Sequence, residues 1–75
     1  MKQLEIEYLT NDSRIINTKK PINDDLIEKT KELRGVDRVN KRGKYSFFIN
    51  RGRLFCWSSV EKDLINLLRE ENYIE

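Results

Sequence analysis

The apolar residues of this chain change period three times, and only a fold that layers helices on a sheet accommodates such a sequence. Leu4, Ile6 and Tyr8 alternate with Gln3, Glu5 and Glu7, the pattern of a strand with one buried face. Thr10-Asn11-Asp12-Ser13 is a turn cluster whose side chains bond the local backbone. Arg14 to Thr18 resumes the strand pattern through Ile15 and Ile16, so residues 2–18 read as a hairpin. The period then lengthens. Leu26, Ile27, Thr30 and Leu33 form a helical stripe, with Glu28, Lys29, Lys31 and Glu32 turned to solvent. Asn23 is placed to cap this helix, Asp24 and Asp25 meet the positive end of its dipole, and Ile22 with Ile27 has staple spacing. Gly35 supplies the left-handed residue that ends it.

From Val36 the period shortens again. Val36–Asn40, Tyr45–Ile49 and Arg53–Trp57 read as three strands of a meander, joined by Lys41-Arg42-Gly43-Lys44 and Asn50-Arg51-Gly52. The last change gives a helix striped by Val60, Leu64, Leu67 and Leu68, with Ile65 widening the stripe. Ser58 and Glu61 have the spacing of a capping box at its start. The expected architecture is a two-layer α+β domain of order β-β-α-β-β-β-α, with both helices on one face of an antiparallel sheet. Leu4, Ile6, Leu26, Leu33, Leu64 and Leu68 belong to its inner set. The whole chain, 1–75, reads as one domain, and 72–75 as a tail that packs or frays.

Composition removes most chemistry. The chain has 75 residues, no His and one Cys, so imidazole catalysis, disulfide frameworks and thiolate metal clusters are not expected. Ser58 and Ser59 read as capping hydroxyls, and Asp24, Asp25 and Glu28 as dipole matching rather than a cation site. Gly35, Gly43 and Gly52 lack the strand–glycine–helix context of a phosphate loop. Cys56, mid-strand beside Leu54, reads as a small buried apolar residue, and Trp57 as a core or helix-start anchor. No catalytic residue, metal or cofactor is expected, and the chain reads as a binding module, not an enzyme. No apolar run approaches the roughly 18–20 residues of a membrane span, and the N-terminus lacks a signal-peptide pattern. With a single unpaired Cys, the expectation is a cytoplasmic protein without a membrane partner.

Charge is distributed unevenly. Arg34, Arg38, Lys41, Arg42, Lys44, Arg51 and Arg53 are opposed only by Asp37, a net +6 that leaves −4 for the rest of a chain whose total is +2. Successive meander turns lie at opposite ends of a sheet, so these charges form a stripe. Phe48 points opposite to Tyr45, Phe47 and Ile49, and Phe55 opposite to Leu54 and Cys56, so one aromatic set is left for the face away from the helices. Cations interleaved with rings suit nucleic acid, where phosphates are neutralised and bases stacked. The expected contact residues are Arg38, Lys41, Arg42, Lys44, Phe48, Arg51, Arg53 and Phe55, and their turn charges are expected to be dispensable for folding. The same edge equally suits an acidic protein surface, as in small inhibitors or adaptors of the kind phages and mobile elements encode. A solvated basic edge that blocks aggregation is the third reading.

Leu33-Arg34-Gly35-Val36-Asp37-Arg38-Val39, then Phe48-Ile49, then Trp57 opening a helix, resembles the N-terminal domain of NifU-like (Nfu-type) scaffold proteins. That family has a hairpin, a helix ending in a Gly-Val step, further strands and a helix entered near a Trp. The resemblance implies an accessory domain in iron–sulfur cluster assembly. The family's cluster-binding Cys-X-X-Cys lies in another domain and has no counterpart here. Its Asn-Pro turn is replaced by Thr10-Asn11-Asp12-Ser13, so no functional residue is carried over.

Overall fold

A computed structural model describes residues 4–74. Lys2 and Gln3, read as the start of the first hairpin, and Glu75, read as the end of the tail, lie outside the described residues. The elements are β1 (Leu4–Thr10), β2 (Ser13–Thr18), α1 (Asp24–Lys31), β3 (Val36–Lys41), β4 (Ser46–Arg51) and α2 (Trp57–Glu70). The four strands form one antiparallel sheet in the order β1-β2-β4-β3.

The core explains why both helices lie on one face. Ile16 pairs with Phe47, and Val39 with Ile49, so these four side chains share a face. They join one buried cluster with Leu26 and Ile27 of α1 and Val60, Leu64, Leu67 and Leu68 of α2. Leu4, Ile6 and Leu33 pack at its margin, as the alternation predicts. Burying these ten core side chains at roughly 1.5–3 kcal/mol each is the main force holding so short a chain together.

The start of α1 follows its signals: Asn23 Oδ1 accepts the Leu26 N–H at 2.8 Å, and Ile22 and Ile27 are both buried. Its end is corrected: α1 stops at Lys31 with Glu32 as a right-handed C-cap, and Gly35, at φ +91°, serves the turn into β3 instead. Thr30 is buried, and its hydroxyl donates to the Leu26 carbonyl at 2.7 Å, so the stripe carries no orphan hydroxyl. The segment after α2 packs. Asn72 takes φ 64°, the Tyr73 N–H donates to the Leu68 carbonyl at 2.8 Å, and the buried Tyr73 hydroxyl accepts the Asn23 N–H at 3.3 Å. This C-terminal turn holds the chain end against the start of α1.

Two further expectations are corrected. Residues 53–57 are not a strand and do not add to either edge strand of the sheet, β1 or β3. β4 ends at Arg51, and a turn carries the chain off the sheet. The Gly52 N–H donates to the Gly35 carbonyl, the Phe55 N–H to the Gly52 carbonyl, and α2 begins at once. The order is therefore β-β-α-β-β-α. The capping box is also not formed. The Trp57 indole N–H donates to the Asn11 carbonyl at 2.7 Å and fixes Trp57 as the first helical residue. Cys56 then holds the cap position without a side-chain cap bond, and Ser58 lies inside the first turn. No helix among the described residues is long and apolar enough to cross a membrane.

Candidate nucleic-acid interface

The sheet face away from the helices is ordered in rows by the strand register. In the middle row Glu7, Ile15, Phe48 and Asn40 stand side by side from β1 to β3. One neighbouring row holds Glu5, Asn17 and Ser46, and the other holds Ser13, Asn50 and Arg38. Ile15 is buried, at 3% exposure, yet stands outside the main core, and Phe48 beside it is half-buried. The accessible apolar part of this face is therefore what Phe48 leaves exposed, with Ile15 filling the sheet beside it. Short neutral polar groups surround it, with carboxylates along the β1 border and Arg38 on the β3 border.

The β3–β4 hairpin extends that basic border. The Arg42 and Gly43 N–H groups both donate to the Ser46 carbonyl, at 3.0 and 3.1 Å, closing a tight tip. The tip is held in place because the Thr18 N–H donates to the Tyr45 carbonyl and the Ile22 N–H to the Lys44 carbonyl, both at 2.8 Å. Lys41, Arg42 and Lys44 are exposed there, with Lys44 Nζ 5.6 Å from the Tyr45 ring centre. No acidic residue lies between Lys41 and Arg53. Across the open face, charge thus runs from acidic at β1 to basic at β3.

Arg38 and Phe48 therefore belong to the face away from the helices and Arg42 and Lys44 to the hairpin tip at its basic end, whereas Lys41, paired with the core residue Phe47, stands on the helix side of β3. The other three predicted residues do not join them. Arg51, Arg53 and Phe55 lie at the opposite end of the sheet, beside the β1–β2 turn. Phe55 packs at the core margin over Gly35, with the Arg34 guanidinium 5.8 Å from its ring centre, so it does not share a face with Phe48. Arg51 is a structural tie, correcting the expectation that its charge is dispensable. It pairs with Asp12, donates to the Phe55 carbonyl, and stands 5.9 Å from the Trp57 ring centre. Arg14 completes this knot, 4.3 Å from the Trp57 ring centre and 4.6 Å from that of Tyr8. Cation–π contacts of this kind contribute about 0.5–2 kcal/mol each.

Arg53 opens onto a shallow polar cleft of about 430 Å³ that also involves Asp12, Asp37, Asn50, Arg51 and Gly52. Its carboxylates offset its guanidinium groups, so it offers no net attraction for an anion. Cys56 is exposed, not buried, because it stands at the start of α2 instead of in a strand. Its thiol lies 3.2 Å from the Ser58 hydroxyl, which with the Ser59 backbone holds its pKa below the ordinary thiol value. Among the described residues no three His, Cys, Asp or Glu side chains converge as a metal site requires.

The polar surround of Phe48 escaped the sequence reading. Its signal was present: Asn17, Asn40, Ser46 and Asn50 fall on the off-core parity of their strands, but that parity counts only once the pairing is known.

The fold and this face define a small α+β domain whose sheet carries a charge gradient on the side away from the helices. Compared with protein-family models, curated proteins and solved structures, the chain matches none. The resemblance to NifU-like N-terminal domains accordingly rests on the quoted residues and element order alone.

Proposed function

We propose that this protein is a non-catalytic nucleic-acid-binding module that uses the open sheet face and the β3–β4 hairpin. The observation that supports the reading is the placement of Phe48 on the sheet face away from the helices, with Arg38 on its β3 border and the exposed Arg42 and Lys44 at the adjoining hairpin tip. Phosphates are neutralised along the basic border while the ring offers a stacking surface. Arg51 and Phe55, being engaged in the fold, are left out of the interface.

Fluorescence anisotropy of labelled oligonucleotides at several salt concentrations tests this. Neutralising ~3–4 phosphates on a single strand gives a slope of log affinity against log salt of about −2 to −3. Arg42→Glu combined with Lys44→Glu abolishes binding and leaves circular dichroism and melting unchanged, because exposed charges contribute little to stability. A double variant that binds like the parent removes the hairpin from the interface.

One observation favours a protein partner instead. Leu54 is 95% exposed beside the exposed Arg53, an apolar knob next to a cation, at the end of the sheet away from the hairpin. If the parent binds no oligonucleotide near physiological salt, docking of an acidic protein at that end becomes the leading reading.

A further inference from the structure

Resting on the nucleic-acid reading, we propose that the open face takes unpaired bases and selects guanine, with Glu7 reading its Watson–Crick edge. The middle row of the face sets the geometry. Phe48 and Ile15 are neighbours on β4 and β2, and Glu7 follows Ile15 on β1. A ring stacked on Phe48 and extending over Ile15 points away from the basic β3 border and toward Glu7. The β4-to-β1 separation is two strand spacings, about 10 Å, bridged by the base together with the reach of the glutamate. The phosphate backbone then follows Arg38 and the hairpin cations, and its charge stays clear of Glu5 and Glu7. A paired base cannot do this, since its edge is occupied and its faces are stacked.

The chemistry at Glu7 decides which base. Glu7 is exposed, and its Oε2 accepts from Asn17 Nδ2 at 3.0 Å, so an acceptor and an amide donor stand together. A carboxylate only accepts, and it accepts best from two parallel N–H groups. Guanine presents such a pair, N1–H and N2–H, beside an O6 that suits the Asn17 amide. Adenine and cytosine offer one amino group next to an unprotonated ring nitrogen that repels the carboxylate. Thymine and uracil offer one N–H between two carbonyl oxygens, which is worse. The same carboxylates that make β1 unattractive to phosphate therefore make it selective toward bases.

The test uses the full chain and labelled strands of about a dozen nucleotides: all-thymidine, thymidine with isolated guanines, thymidine with isolated adenines, the uridine equivalents, and the guanine strand annealed to its complement. The guanine-bearing single strand is expected to bind about tenfold more tightly than all-thymidine, within the range for one bidentate base contact. Glu7→Gln erases that difference while all-thymidine binding persists, and Glu5→Gln, one row away, preserves it. Equal affinity for guanine and thymidine strands, a preference that survives Glu7→Gln, or a duplex bound as tightly as the single strand overturns guanine selection and leaves the broader reading standing. Absence of binding to every strand overturns both.

Discussion

The thiol of Cys56 stands in front of the first turn of α2, exposed to solvent and close to the Ser58 hydroxyl. Hydrogen bonding to Ser58, and then to the Ser59 backbone, favours the thiolate and lowers its pKa from the usual value. Alkylation in the native state is therefore expected to be rapid, with its half-maximal pH below that of a free thiol. Ser58→Ala moves that midpoint upward. A thiol that reacts only after denaturation would contradict the exposure. Reading Cys56 from the chain as a buried strand residue failed for a physical reason: alternation assigns a face only where a strand exists. Asn23 and Ile22 were legible because caps and staples are local devices that need no knowledge of the sheet; the left-handed backbone of Gly35 was legible too, but it serves the turn into β3 and not the end of α1. Arg51 was not legible, since its role depends on Asp12, 39 residues away in the chain.

At the scale of elements, the connection from α1 to β3 carries the tightest constraint. Gly35 has φ +91°, and a Cβ there would lie 3.0 Å from both Phe55 Cγ and Val60 Cγ2. Gly35→Ala combines a strained backbone with a clash against the segment that leads into α2. It is expected to destabilise the fold by about 1–3 kcal/mol, read as a lower urea midpoint. An unchanged midpoint would show that this junction yields easily. The two hairpins and two helices were visible in the apolar periods, and the helix start at Asn23 in its cap. The supposed strand at 53–57 was wrong in kind, because its residues have strand composition but are held in a turn between Gly52 and the start of α2. Strand order is a property of pairing across the chain, which periodicity does not encode. The candidate interface inherits the same limit: its cations were legible as a window, but the sharing of a face by Phe48, Asn40 and Glu7 was not.

Across the whole molecule, the order β1-β2-β4-β3 places two local hairpins side by side and joins them only through β2 and β4. Each hairpin closes over a short turn, whereas Ser13 meets Asn50 and Asn17 meets Ser46 across the length of α1. Local hairpins form in about 1–10 μs, but a distant pair must first meet the entropy of closing the intervening loop. The meeting of Ile16 with Phe47 is therefore expected to be the slow event in self-assembly. In stopped-flow experiments Ile16→Val and Ile49→Val are expected to retard refolding by most of their stability cost, while Ile6→Val on the outer strand mainly hastens unfolding. Equal effects on both limbs from all three would place the barrier elsewhere. During synthesis, the first hairpin and α1 leave the ribosome before β4 exists. Until β4 arrives, β2 offers one unpaired backbone edge with Ile15 and Ile16 uncovered, so a strand that ends up inside the finished sheet is, for the nascent chain, its most adhesive edge.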